Sequence, residues 1–292
     1  MKPDEIKTIF SNITTWKRSG ERAPHKPLLL LYALGRLDRK EPRLFSYAEV
    51  KDNLKHLLVE FGPQRRTTPR YPFLRLSNDG IWEITGCNEI DTKRDWSDHA
   101  LLENDTHGGF TEEIYTTLSQ DRKLIRELAA MILEQNFPET IHEDILLEVG
   151  LDLELTGKMH RDPEFRERVL RAYEYRCAVC GFNVRLGNTL VAVEAAHIKW
   201  HQAGGPDQEE NGIALCTMHH KLFDRGVFTL SKSLKFQVAE TAHGTEGFDE
   251  WLMRFHGKEI RPPQSPLYRP KDFYIHWHVK EVFRGPARYL ID

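Results

Sequence analysis

Asn211-Gly212-Ile213-Ala214-Leu215-Cys216-Thr217-Met218-His219-His220-Lys221-Leu222-Phe223-Asp224 places an apolar strand, a Cys-x-x-His pair and a second histidine within one short segment. Thirty-six residues before Cys216 ends the pair Cys177-x-x-Cys180. Each pair forms a short knuckle whose two ligands aim at one centre, and together they supply the four donors of a tetrahedral structural zinc site. Thiols buried by coincidence are the alternative, since free cysteine is commonly buried. Two correctly spaced pairs make that the weaker reading. Cys177, Cys180, Cys216 and His219 are therefore expected to hold a structural Zn²⁺, whose binding contributes about 10–16 kcal/mol to the folding of such a segment.

Between the knuckles runs Val191-Ala192-Val193-Glu194-Ala195-Ala196-His197-Ile198, a β-branched strand that ends on a histidine. The order is histidine on a first strand, asparagine in the turn and histidine on a helix, as in a ββα-metal finger. Cys-x-x-Cys, Glu-Ala-Ala-His, Asn-Gly-Ile-x-Leu-Cys-x-x-His-His and Phe-Asp-x-Gly follow one another, and residues 163–285 resemble the HNH endonucleases. That resemblance implies phosphodiester hydrolysis, which needs a base for water and a cation for the charge that develops. A neutral imidazole titrates near physiological pH and suits His197 as the base. By resemblance, Asn211 fixes the loop that orients it, and His220 binds a catalytic divalent ion, Mg²⁺ or Mn²⁺.

Asp224, four residues after His220, shares its helical face and is either a second ligand or a helix-end pair. Many relatives carry aspartate or histidine directly before the base as a ligand, where this chain has Ala196. Glu194, two residues before Ala196 on the same strand face, is the substitute, set against a structural role. His201, His276 and His278 have no motif support, and Trp277-His278 reads as packing.

The N-terminal half reads as helical, with one small hairpin. Ile6, Ile9, Phe10 and Ile13 recur at helical spacing within 4–17. Pro24 and Pro27 bracket the start of a helix that is apolar nearly all round over Leu28–Leu37. Ser46 and Glu49 form a capping box for a helix that Gly62 stops. Further helices are expected at 97–104, 111–118 and 121–136, the last capped by Asp121. The run Tyr71-Pro72-Phe73-Leu74-Arg75-Leu76, the turn Ser77-Asn78-Asp79-Gly80 and Ile81-Trp82-Glu83-Ile84 read as a hairpin. The stretch 138–160 is acidic and thinly apolar, so the chain is expected to divide into domains 1–150 and 151–292, the second opening at Asp162-Pro163. The fold class is α+β: a mainly helical domain with a hairpin, then a ββα-metal domain with a structural zinc.

Gly20-Glu21-Arg22-Ala23-Pro24-His25-Lys26-Pro27-Leu28-Leu29-Leu30-Leu31, with Arg70-Tyr71-Pro72-Phe73, resembles the sulfur-binding domain of phosphorothioate-dependent type IV restriction endonucleases. In those enzymes the domain likewise precedes an HNH domain. The resemblance implies double-stranded, phosphorothioate-modified DNA as partner. Tyr71 and Pro72 would wall the pocket, closed by an arginine or histidine from Arg22-Ala23-Pro24-His25. Arg18, Lys26, Arg65, Arg66 and Arg70 would hold neighbouring phosphates. A hairpin core for Tyr71 and Pro72, and a solvated loop for Arg65 and Arg66, are the bland alternatives.

The net charge of −3 conceals an asymmetry that fits this division: residues 1–80 carry +7, residues 81–160 carry −12 and the remainder +2. A basic face can bind a polyanion within an acidic protein. No apolar run is long enough for a bilayer, no secretory h-region opens the chain, and the cysteines are spaced as ligands, so a cytoplasmic protein is expected. Two other functions compete: an HNH enzyme directed to a methylated base, and a non-catalytic, zinc-stabilised DNA-binding protein. A homodimer is expected only because two-strand cleavage is simplest with two sites.

Overall fold

The computed structural model describes residues 1–13, 21–65, 68–86, 91, 95–151 and 163–289. It divides into two compact units, Met1–Thr156 and Gly157–Asp292. Among the described residues, no helix is long and apolar enough to cross a membrane.

The first unit is built around one greasy helix. After α1 (Pro3–Ser11) comes α2 (His25–Asp38), on which every residue from Pro27 to Leu37 is buried. A helix buried all round must be wrapped by others. Around it pack α3 (Tyr47–Phe61), α4 (Arg70–Arg75), α6 (Glu112–Gln120), α7 (Arg122–Asn136) and α8 (His142–Val149). The Ser46 side chain caps α3 by accepting from the Glu49 amide, and Asp121 caps α7 through the Leu124 amide. A three-stranded antiparallel sheet, β1 (Leu44–Ser46), β2 (Trp82–Thr85) and β3 (His107–Phe110), completes the unit, with β3 in the middle and α5 (Asp98–Glu103) leading into it.

The expected hairpin is corrected here. Tyr71-Pro72-Phe73-Leu74-Arg75 lies in α4, and β2 pairs with β3, Trp82 opposite Phe110. Pro72 sits in the first turn of α4, where an amide hydrogen would have no helical partner, whereas in a paired strand it would delete a ladder bond. Gly80, at φ 75°, ends the helical segment. The sheet partner escaped notice because His107-Gly108-Gly109-Phe110 looks like a breaker. A Cβ on Gly109 would stand 2.0 Å from the Arg43 carbonyl oxygen, so close backbone approach is what the glycine permits. Phe73 of α4 meets Trp82 of β2 at 6.1 Å between ring centroids, which ties α4 to the sheet. Residues 138–151 belong to the core of the first unit, with Ile141, Ile145, Leu146, Val149 and Leu151 buried.

In the second unit, α9 (Pro163–Ala172) lays Phe165, Val169 and Leu170 on a two-stranded antiparallel ribbon. The proposed cap Asp162 lies outside the described residues. After the exposed hairpin of β4 (Val184–Leu186) and β5 (Thr189–Val191), the ribbon is made by β6 (Val193–His197) and β7 (Gly212–Cys216). Its register sets His197 opposite Gly212 and Glu194 opposite Leu215. Gly212 is where α9 comes down: a Cβ there would meet Val169 at 2.4 Å. The chain passes straight from β7 into α10 (Thr217–Asp224), closing a ββα unit. The hairpin of β8 (Phe228–Leu230) and β9 (Phe236–Val238), then α11 (Glu246–Trp251) and α12 (Asp272–Glu281), cover the far side. On α12, His278 stacks on Phe223 of α10 at 3.7 Å and bonds Thr229, so this histidine is part of the packing.

Candidate active site and DNA interface

Two adjacent histidines on α10 serve different centres. His219 is fully buried and turns Nδ1 toward the Sγ atoms of Cys216 (3.1 Å) and Cys177 (3.7 Å). Cys180 Sγ lies 3.9 Å from Cys216 Sγ, and all four donor atoms fall within 4.8 Å of one another. His219 Nε2 donates to the Trp251 carbonyl at 2.9 Å, which fixes the ring with Nδ1 as the ligand nitrogen. The knuckle backbone is held from outside: the Ala178 amide donates to the Ala214 carbonyl. Three thiol sulfurs and one imidazole nitrogen form a donor set suited to a soft cation. Its sulfur neighbours and His219 hold the Cys177 thiol well below its usual range. Burial opposes charge on His219, yet the Cys177 and Cys180 sulfurs outweigh it and raise the imidazole to about 10.

His220 faces the other way. Its Nδ1 lies 2.6 Å from Glu194 Oε2 and its Nε2 lies 3.2 Å from Asp224 Oδ2. Burial disfavours protonation of this ring, but Asp224 and Glu194 prevail and raise it to about 9. A site that holds an imidazolium between two carboxylates is also suited to a divalent ion in the proton's place. The carboxylates differ in access: the Glu194 side chain is 35% exposed and Asp224 only 2%. Trp200 donates its indole hydrogen to Asp224 Oδ1 at 2.9 Å, so Asp224 is gripped from both sides. Sequence reasoning missed Trp200, because nothing in its spacing marks it.

His197 ends β6. Phe165 of α9 stacks on its ring at 4.1 Å, and Nε2 lies 2.7 Å from Asp207 Oδ1. Asn211 is fully buried and does not meet His197 through its side chain. Its Oδ1 accepts from the Lys199 amide at 2.8 Å, and its Nδ2 donates to the carbonyls of Lys199 and Pro206, each at 3.0 Å. The loop it closes is tight, since a Cβ on Gly205 would stand 1.8 Å from the Lys199 carbonyl oxygen. His201 comes within 5.9 Å of His197, ring to ring, and is exposed.

In the first unit, the two proline-flanked strings meet where α2 begins and α4 runs. α2 packs on α4, and Lys26 of α2 pairs at 2.5 Å with Asp79 in the helical turn that follows α4. Arg65 donates to the Arg22 carbonyl, and the Arg22 side chain is itself buried. Pro24 and Pro72 are buried, whereas Tyr71 is 44% exposed, with the Arg70 guanidinium 4.9 Å above its ring. Burial, then the Arg65 charge, push His25 down to about 4, so it is a neutral ring at pH 7. The helical course of α4 sets Arg75 one turn after Tyr71, a cation that reading the segment as a strand concealed. Arg66 and Arg18 lie outside the described residues.

A family model for the ScoMcrA-like DNA sulfur-binding domain matches residues 3–154, and one for the HNH endonuclease matches residues 177–231. Among solved structures, the sulfur-binding domain of SprMcrA, complexed with phosphorothioated DNA, is 22% identical, with 52% of this chain and 95% of that one covered and a TM-score of 0.46. The corresponding domain of ScoMcrA, also complexed with phosphorothioated DNA, is 24% identical over 49% and 94%, with a TM-score of 0.44. The modification-dependent TagI restriction endonuclease is 23% identical over 45% and 41%, with a TM-score of 0.30. No curated protein matches the chain. With the first model spanning just over half of its length, the chain belongs to the ScoMcrA-like DNA sulfur-binding domain family, and it is a nuclease that joins this domain to an HNH endonuclease domain.

Proposed function

We propose that the protein hydrolyses phosphodiester bonds of double-stranded DNA near a phosphorothioate linkage, which its first unit recognises and its second unit cuts. The observation that carries this reading is the pairing, in one chain, of a sulfur-binding domain with His197, Asn211 and His220 assembled on a ββα unit.

Sulfur in place of a non-bridging oxygen is larger, more polarisable and a poorer hydrogen-bond acceptor. Ring faces gain contact with it, whereas they would strip water from an oxygen without compensation. Tyr71 offers such a face, and a neutral His25 ring carries no charge that would favour every phosphate equally. Arg65, Arg66, Arg70 and Arg75 would hold flanking phosphates, with the salt dependence that implies.

For the Cys₃His cluster, zinc is the fitting ion. Bonds of about 2.0–2.3 Å in a tetrahedron separate donors by roughly 3.3–3.8 Å, close to three of the separations, 3.1, 3.7 and 3.9 Å, within a set that spans 4.8 Å at most. All four positions are taken by protein, so this ion would hold the fold together. A catalytic Mg²⁺ or Mn²⁺ needs open positions, and these lie on the Glu194 side. Glu194 and His220 Nδ1 would hold it, while Asp224 accepts from Nε2–H and orients the ring. When bound, such an ion polarises the phosphate and stabilises the leaving oxygen. His197 takes the proton of the attacking water, and Phe165 and the Asn211-closed loop keep its ring in place.

Fluorescence polarisation of the full chain with matched duplexes tests the recognition half. Tighter binding of the phosphorothioate duplex than of plain DNA is expected, by about tenfold or more, and Tyr71→Ala should erase most of that ratio. Equal affinity in the wild type would overturn the sulfur reading.

A further inference from the structure

His197 has a carboxylate partner that its motif does not supply. Asp207 Oδ1 stands 2.7 Å from His197 Nε2, and its side chain is partly exposed. An ionised carboxylate can only accept, so Nε2 carries the ring proton and the lone pair is left on Nδ1. The backbone around both residues is fixed by one side chain and one carbonyl of the same residue. Asn211 Nδ2 holds the carbonyl of Pro206, the residue directly before Asp207. The Asn211 carbonyl accepts from the amide of Ile198, the residue directly after His197, at 2.9 Å. From α9, Arg168 donates to the Asp207 carbonyl at 2.9 Å, and Phe165 of the same helix stacks on the imidazole. Asn211 thus clamps the base and its carboxylate to each other without touching either side chain.

We infer that Asp207 is the positioning residue of the general base, and that Asn211 acts by holding Asp207 and His197 in register. This rests on the nuclease reading above. In the step it serves, a water oxygen forms a bond to phosphorus as the ester P–O bond breaks, and the bonding pair leaves on the ester oxygen, which takes a proton from solvent. The water proton passes to the lone-pair nitrogen of His197, and the ring becomes a cation against an Asp207 that stays ionised. Replacing the carboxylate with an amide removes that charge, and the amide nitrogen can donate to Nε2 and stabilise the wrong tautomer. Among the described residues, charged or titratable groups near the pair include His201, at 5.9 Å from the imidazole, and Arg168, which pairs with Glu209 at 3.3 Å and Glu164 at 3.6 Å. These are unchanged by a substitution at 207.

The test compares wild type, Asp207→Asn, Asp207→Glu and Asn211→Ala in the full chain. Asp207→Asn should lower kcat by about 10- to 100-fold with KM for DNA nearly unchanged. It should also move the acid limb of the kcat profile down by about one pH unit, because the carboxylate that favours the imidazolium is gone. Asp207→Glu should recover part of the rate, and Asn211→Ala should show the same downward shift of the acid limb as Asp207→Asn. An unchanged profile with an unchanged rate overturns the proposal. A faster Asp207→Asn enzyme also overturns it, since the contact would then mask the base. Nitrogen-15 spectra of the histidine rings decide the pairing without any cleavage: His197 should be the Nε2–H tautomer in wild type and lose that preference in Asp207→Asn. If the wild type cuts no DNA with Mg²⁺ or Mn²⁺, the nuclease reading fails on its own, and the ring spectra still settle whether the pair exists.

Discussion

His219 and His220 are neighbours on one helix, yet they sit in surroundings of opposite design. His219 meets three sulfurs in a pocket where every donor points inward, and its second nitrogen is spent on the Trp251 carbonyl. His220 lies between two carboxylates, one sealed against Trp200 and one reaching toward solvent. Soft donors in a closed tetrahedron suit an ion that never exchanges ligands, and an oxygen-rich site with an open side suits one that must take up substrate. The step from one centre to the next is a single residue, because successive positions on a helix point about 100° apart.

That contrast can be broken by substitution, starting where the expected effect is largest. Cys177→Ser should cost the second unit several kcal/mol and lose its cooperative melt, while the unit Met1–Thr156 still unfolds as before. Thermal melts with and without a chelator check this, and a wild-type melt for the variant would remove the structural role of the cluster. Glu194→Gln should instead leave the melt intact and reduce cleavage by at least about 100-fold, with no recovery at high metal. Asp224→Asn is expected to be milder, about 10-fold weaker in apparent metal affinity and largely restored by excess Mn²⁺. If the two variants exchange behaviour, the ion sits on the Asp224 side. Trp200→Phe keeps an aromatic ring in place but deletes the donor to Asp224. It should lower stability by roughly 1.5–3 kcal/mol in urea unfolding, with only a few-fold loss of rate.

Both centres were legible in the sequence to different depths. The Cys-x-x-Cys and Cys-x-x-His pairs locate one centre because local spacing dictates ligand geometry. For the other, Glu194 and Asp224 were candidates, but which carboxylate is open depends on Trp200, brought in from a loop by tertiary packing. Asp207 was invisible for the same reason: it reaches His197 across a loop whose shape is set by Asn211. In the first unit, the buried helix α2 and the Ser46 and Asp121 caps follow from periodicity and short-range hydrogen bonding. The segment Tyr71–Leu76 misled because short apolar runs satisfy strand and helix periods alike, and only the position of Pro72 separates them. The glycines of β3 disguised its partner strand. The buried Ile145, Leu146 and Val149 of α8 were diluted by the acidic neighbours Glu143, Asp144 and Glu148.

Division of labour between a sulfur-reading unit and a cutting unit is tested most directly by incubating the full chain with matched plain, methylated and phosphorothioated duplexes in Mg²⁺ or Mn²⁺, beside His197→Ala. Strand breaks should accumulate only on the phosphorothioated duplex, and His197→Ala should bind that duplex equally well without cutting it. Equal cutting of all three duplexes, or undiminished cutting by His197→Ala, would contradict the account.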